Sequence, residues 1–286
     1  MAKVFEMLQA RWDAGKRICV GLDSDMERLP ANLSGNQSVF NISIVDVTHA
    51  HALAYKFNIA FYVTEGERDV LSSTIAYIRR VTRHFPVPVI LDGKRADIGN
   101  TNNGYVREIR LFKPDAATIN PYLGMRALEP FLASQDIGMF VVCHTSDEGA
   151  EEFQELLVYP HPDDASRWGL TTKTIPLYQN IAYRVARTWS AVSGNCGLVM
   201  GATMPGHLAA VRKIIGDDMW ILAPGIGAQG GDLREALQAG LNTHQSGLVI
   251  NSGRDIIFAS NGMDFAEAAQ RELLRLTQES DTVLSL

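Results

Sequence analysis

Apolar and polar positions fall in alternating blocks along this chain. Eight short runs are nearly continuous in Val, Ile and Leu: Ile18–Leu22, Ala54–Asn58, Val87–Leu91, Ala116–Ile119, Gly138–Cys143, Gly197–Gly201, Met219–Ala223 and Gly247–Asn251. Continuous apolarity means burial on both faces, the mark of a parallel strand. Helical spacing fills the intervals. Over Glu65–His84 the apolar residues Val70, Leu71, Ile75, Ile78 and Val81 recur by threes and fours, and Met1–Ala14, Thr174–Ser190 and Met263–Thr277 also read as helices. Repeated strand–helix alternation predicts an α/β protein, a (β/α)8 TIM barrel rather than an open doubly wound sheet. No composition shift or Pro/Ser-rich linker divides residues 1–286, which read as one domain. The long interruption is the connection from strand five to strand six, about residues 145–177. A connection of that length is expected to be a lid or a surface excursion.

Composition narrows the partners. With 26 basic and 32 acidic residues the net charge is −6, a poor match to a nucleic-acid polymer, which demands a basic surface. Hydrophobic residues make up 46% and charged residues 20%, ordinary for a globular protein. No apolar stretch approaches bilayer length, and the N-terminal segment has no uninterrupted apolar region or cleavage site, so no membrane or export role is expected. The three cysteines, Cys19, Cys143 and Cys196, are widely spaced in apolar runs. They read as buried, reduced thiols in a cytoplasmic protein.

In a barrel of this kind the chemistry sits where the strands end. The most informative tail follows strand three, Val89-Ile-Leu-Asp-Gly-Lys-Arg-Ala-Asp-Ile-Gly-Asn-Thr101. A period of two puts Asp92 and Lys94 on one face, toward the barrel mouth. Asp97 lies beyond the strand, placed to fold back or to reach across a subunit interface. Lys56, at the end of strand two, cannot enter the packed barrel and belongs at the mouth beside carboxylates. The expected arrangement is Lys–Asp–Lys–Asp, with signs alternating in space. Carboxylates favour the charged form of a neighbouring lysine, and a lysine ammonium can stabilise developing negative charge and donate a proton. An ionised carboxylate beside the substrate would repel a substrate carboxylate. Such a network suits loss of CO2 followed by protonation of a carbanion. A purely structural ion-pair network has the same composition.

Two further tails point to a phosphate. Ala223-Pro-Gly-Ile-Gly-Ala-Gln-Gly-Gly-Asp232 follows strand seven, offering backbone amides and a helix start near Asp232. Asn251-Ser-Gly-Arg254 follows strand eight, where Gly253 permits close approach and Arg254 supplies a bidentate fork. Phosphate sites between these two loops recur in this barrel. His144 has no second histidine or cysteine at ligand spacing, so it reads as a hydrogen-bonded rim residue and no metal is expected. His207 and the His161–Asp164 run read as structural residue and solvated loop.

From Gly21-Leu22-Asp23 to Asn251-Ser-Gly-Arg254, with Asp92-x-Lys94-Arg95-x-Asp97-Ile98-Gly99-Asn100-Thr101 between, the chain resembles the orotidine 5′-phosphate decarboxylases. It is most similar to a bacterial subgroup carrying that motif. The resemblance implies metal-free, cofactor-free decarboxylation of orotidine 5′-phosphate to UMP in pyrimidine (UMP) biosynthesis. It implies Lys94 as proton donor to pyrimidine C6, Asp92 beside the substrate carboxylate, and Lys56 orienting Asp92 and touching the ribose. Asp97 would complete the tetrad from the other subunit of a homodimer, with Ile98 and Thr101 on the same segment. Asp23 would hold a ribose hydroxyl and Ser146 the pyrimidine amide, while Gln229, Gly253 and Arg254 would hold the phosphate.

Three departures stand out: Ala96 in place of glycine, Asp147-Glu148-Gly149 in place of Asn-Pro-Gly, and Phe61–Gly66 in place of an aromatic-acidic run. Two other readings use the same residues. One is a magnesium-dependent sugar-phosphate decarboxylase or aldolase of the same suprafamily. That reading expects an acidic metal ligand at the end of strand two, where this chain has Lys56. The other is a non-catalytic phosphate-binding barrel.

Overall fold

The computed structural model describes residues 3–227 and 230–286. Eight parallel strands close into a barrel: β1 (Ile18–Gly21), β2 (Ala54–Asn58), β3 (Val89–Arg95), β4 (Ala116–Ile119), β5 (Gly138–His144), β6 (Cys196–Met200), β7 (Ile221–Pro224) and β8 (Leu248–Ser252). Closure is made by β1 against β8, with Ile18 opposite Ile250 and Val20 opposite Ser252. The apolar runs sit where the periodicity puts them, and β1, β4, β6 and β8 are buried at every position. Closing the sheet leaves no edge strand, and the helices outside it remove the second face from water.

Several boundaries differ from the sequence expectation, and three of them have a plain local reason. The helix after β2 spans Glu65–Val81 and stops short of His84. Thr64 and Glu67 form its capping box, while the Thr82 hydroxyl turns back to the Ile78 carbonyl at 2.8 Å. β3 begins at Val89, because Pro88 has no N–H to give a ladder. The final helix runs to Leu284, past Thr277, since Ser280 and Val283 continue its buried stripe and Asp281 pairs with Arg17 at 2.8 Å.

The far end of the barrel is tied by two buried arginines that hydrogen-bond to backbone carbonyls. Arg11 donates to Ala52 and His49, and Arg212 to Gly240, Met219 and Gly247. Carbonyl oxygens at turns need partners once buried, and one guanidinium serves several at once.

The excursion after β5 has structure of its own. A 3-10 turn over Glu148–Glu152 starts at Asp147, whose carboxylate accepts from Gly149 N–H. Leu157–Val158 then pairs antiparallel with Ile175–Pro176, which delays the expected helix to Leu177. Between them Pro162–Arg167 is a short helix, not the solvated loop expected of the His161–Asp164 run. His161 caps it, and Asp164 pairs with Arg184 at 3.1 Å. No helix among the described residues is long and apolar enough to cross a membrane.

Candidate active site

A cavity of about 750 Å³ opens at the end of the barrel where the strands finish. It is lined by Asp23, Lys56, Asp92, Lys94, Ser146 and Arg254, with Asn58, Thr145, Glu148, Pro224 and Asn251 among their neighbours. Six of the expected site residues therefore come together from the ends of β1, β2, β3, β5 and β8. Asp97 and Thr101 do not line this cavity. They lie on the turn and helix start beyond β3, where Asp97 accepts from Ile98 N–H and Thr101 is exposed. Gln229 lies outside the described residues.

The charges alternate as expected through Lys56, Asp92 and Lys94, and Asp23 extends the series beyond Lys56. Lys56 Nζ stands 3.4 Å from Asp23 and 3.2 Å from Asp92 Oδ2, and Lys94 Nζ stands 2.8 Å from Asp92 Oδ1. The sequence of signs within one chain is Asp23–Lys56–Asp92–Lys94. Asp23 stands next to Lys56, at the end of the series opposite Lys94, because the β1 tail lies against β2. Asn58 N–H also donates to Asp23 at 3.0 Å and fixes its orientation.

Lys94 reaches Asp92 by a route that the simple two-residue period does not describe. Its φ is 44°, in the left-handed region, and the β3–β4 register shifts between Leu91 and Arg95. A bulge of this kind re-aims a side chain, at a cost of about 1–2 kcal/mol for a residue with a Cβ. Thr118, at the end of β4, holds the bulge. Its hydroxyl accepts from Lys94 N–H and donates to Asp92 Oδ1, both at 2.8 Å. Sequence reading passed over Thr118, whose one signal is a hydroxyl inside the otherwise apolar fourth run.

Burial acts first on both central charges, and their neighbours outweigh it. Desolvation alone would raise the Asp92 pKa, but Lys56, Lys94 and the hydrogen bonds from Lys94 and Thr118 hold it well below the usual carboxylate range. Desolvation would lower the Lys56 pKa, yet Asp23 and Asp92 hold it above its ordinary value. At neutral pH the buried centre is an ionised Lys56–Asp92 pair. Lys94, with 41% of its side chain exposed, faces the cavity.

The anion end is built from the tails of β7 and β8. Gly227, Gly230 and Gly231 donate their amides to Gly231, Gly227 and Gly225 carbonyls within the loop. Asp232 caps the following helix by accepting from Glu235 N–H, so that helix start already faces a carboxylate. Arg254 stands exposed at the cavity edge. Gly253 serves a packing purpose as well: a Cβ on Gly21 would lie 2.9 Å from Gly253 Cα, so the two tails touch backbone to backbone. Ser146 is brought in the same way, since a Cβ on Gly201 would meet its amide nitrogen at 2.6 Å. Thr145 is pinned by Gln154, which accepts from its N–H at 2.7 Å. Of the departures, Asp147 starts the 3-10 turn, Thr64 caps a helix, and Ala96 packs half-buried against the core.

A closed parallel barrel with an alternating lysine–carboxylate array at its mouth defines a class, the (β/α)8 barrels built to act on a small anionic ligand. Residues 16–269 match the orotidine 5′-phosphate decarboxylase / HUMPS family, and the chain belongs to it. The orotidine 5′-phosphate decarboxylase of Cellvibrio japonicus is 40% identical over 281 residues, 96% of each chain. That of Bordetella avium is 43% identical over 254 residues, 87% of this chain and 88% of the other. Among solved structures, Leishmania donovani OMP decarboxylase superposes with a TM-score of 0.75 at 31% identity, covering 97% of this chain and 99% of that one. Leishmania donovani UMP synthase superposes with a TM-score of 0.78 at 32% identity, over 96% of this chain and 56% of its own length.

Proposed function

We propose that this chain is an orotidine 5′-phosphate decarboxylase, a carboxy-lyase that forms UMP and CO2 without a metal or organic cofactor. The observation that carries the reading is the Asp23–Lys56–Asp92–Lys94 array on the cavity wall, with Asp92 buried and ionised between two lysines. Family membership and the names of its relatives support the substrate.

The substrate carboxylate sits against Asp92. Two like charges held close raise the energy of the bound ground state, and breaking the C6–carboxylate bond relieves it. The bonding pair stays on C6, CO2 departs, and the Lys94 ammonium stabilises the carbanion and then gives it a proton. Lys56 keeps Asp92 oriented and reaches the ribose, and Asp23 takes a ribose hydroxyl. Ser146 contacts the pyrimidine amide. Arg254, with Gly253 and Gln229, holds the phosphate, whose remote binding energy is used at the reacting carbon. The substrate is anionic while the chain carries −6, so attraction is local, through Lys56, Lys94 and Arg254.

A second copy of the chain completes the site. Asp97 and Thr101 lie on an exposed turn beside Ile98, which is 69% exposed, and the neighbouring β4 tail carries Tyr122 at 84%. Apolar side chains so exposed next to a mechanistic carboxylate support a homodimer that delivers Asp97 and Thr101 to its partner. The dimer is expected in sedimentation at assay concentrations. A fully active monomer would exclude the shared site. The buried free thiols Cys19, Cys143 and Cys196 support a cytoplasmic setting, the closed barrel supports a one-domain reading, and the family supports a place in pyrimidine biosynthesis.

The decisive experiment follows the absorbance of orotidine 5′-phosphate in the presence of EDTA. Steady conversion to UMP is expected. Activity lost to EDTA and restored by Mg2+ would instead mark the sugar-phosphate type of enzyme, although Lys56 stands where its metal ligand would be. Nucleotide binding with no turnover would mark a non-catalytic barrel.

A further inference from the structure

His144, Glu155 and His207 form a cluster outside the array of lysines and carboxylates. They come from the end of β5, from the excursion, and from the helix Pro205–Ile215 after β6. His144 Nε2 lies 3.2 Å from Glu155 Oε1, and His207 Nδ1 lies 3.6 Å from the same oxygen. The ligand atoms all lie within 4.8 Å of one another. The spacing rule that argued against a metal at His144 considered sequence neighbours, whereas the barrel supplies the second histidine from a different strand's helix.

The hydrogen bonding shows what the cluster lacks. His144 is buried, and its Nδ1 lies 2.9 Å from the Thr145 carbonyl. A carbonyl oxygen can only accept, so Nδ1 carries a proton, and Nε2 is the nitrogen that faces Glu155 Oε1, at 3.2 Å. The His207 Nδ1 is a buried atom with no hydrogen-bond partner, and it points to the same carboxylate. Two imidazole nitrogens and a carboxylate oxygen thus converge on one point.

We propose that His144, Glu155 and His207 bind one divalent transition-metal ion of the zinc class. Imidazole nitrogens and a carboxylate oxygen at about 2.0–2.2 Å from a tetrahedral ion lie roughly 3.3–3.5 Å apart, and the two measured separations from Glu155 bracket that edge. Bringing the histidines to the same edge asks for a shift of roughly 1–1.5 Å at most, which the part-exposed His207 can supply. The Thr145 carbonyl already orients His144 in the manner of an outer-shell partner. The ion is structural. It ties Glu155 of the excursion to two barrel elements. The reaction itself is untouched by this assignment, because the array of lysines and carboxylates lies elsewhere on the cavity wall.

The test uses the full-length protein stripped with chelator, then titrated with Zn2+ alone and, separately, with Co2+ alone. Stoichiometric uptake of one Zn2+ per chain, visible absorption typical of four-coordinate Co2+, and a rise in melting temperature with Zn2+ are expected. In His207→Ala, and in Glu155→Gln, which keeps the side-chain shape, metal affinity should fall at least tenfold and the melting rise should vanish. If no Zn2+ is retained, or if both folded variants take it up as well as the parent, the cluster is not a metal site. Turnover of orotidine 5′-phosphate is read independently, so failure here leaves the proposed reaction standing.

Discussion

Replacing Lys94 by alanine is expected to lower kcat/KM for orotidine 5′-phosphate by on the order of 10⁴-fold or more, with little change in melting temperature. Two separate contributions are lost together. The ammonium stabilises the carbanion electrostatically, an effect worth about 10²–10³-fold in comparable sites. It is also the proton source for C6, worth about 10²–10⁴-fold for a well-placed acid. The fold should tolerate the change because Lys94 is 41% exposed at the side chain and buries little. Alanine carries a Cβ as lysine does, so the left-handed backbone at φ 44° is strained no more than before, and Thr118 still receives the residue's N–H. The two readouts must be taken together. Near-native turnover would remove Lys94 from the chemistry. A collapsed melting temperature would mean that the lysine holds the mouth together rather than reacting.

The barrel was legible because both its faces are dry. Burial on the inside and under the helices forces continuous Val, Ile and Leu, and that pattern marks all eight strands to within two residues at either end, except where β3 runs on to Arg95. Asp92, Lys94 and Lys56 were legible for the complementary reason, since a charged residue closing an apolar strand has only the mouth to go to. What escaped depends on contacts between distant segments. Asp23 belongs to the array through the neighbouring β1 tail, and nothing near Lys56 in sequence announces it. Thr118 is one hydroxyl in an apolar run, informative only once β4 lies beside the β3 bulge. His207 meets His144 because successive barrel units are adjacent, and no local spacing records that. In the glycine-rich loop the amides of Gly227, Gly230 and Gly231 bond to the loop's own carbonyls, and a Cβ on Gly227 would fall 1.6 Å from Asp255, contacts that local sequence does not record.

Asp92→Asn should both inactivate and destabilise, and the second effect separates an array held in tension by its charges from one that merely decorates the cavity. Lys56 is 3% exposed and pairs with two carboxylates. Neutralising Asp92 leaves a buried ammonium with Asp23 alone, at 3.4 Å. Removing one partner of a buried pair costs roughly 3 kcal/mol, because the remaining charge keeps its desolvation penalty without its compensation. Asparagine keeps the shape and can still accept from Thr118, so lost packing contributes little. Turnover should fall on the order of 10²–10³-fold or more, since the like-charge contact with the substrate carboxylate is gone and Lys94 loses its anchor. The pH dependence supplies the sign. The folded-state pKa of Asp92 lies below its unfolded value, so its stabilising contribution is complete above about pH 4 and is lost as pH falls through the lower folded value. Urea or thermal unfolding should therefore show the full deficit of the variant at pH 7, narrowing toward the parent only in strong acid. A variant as stable as the parent at pH 7 would mean that Lys56 is adequately neutralised by Asp23, and that Asp92 is held ionised for the reaction alone.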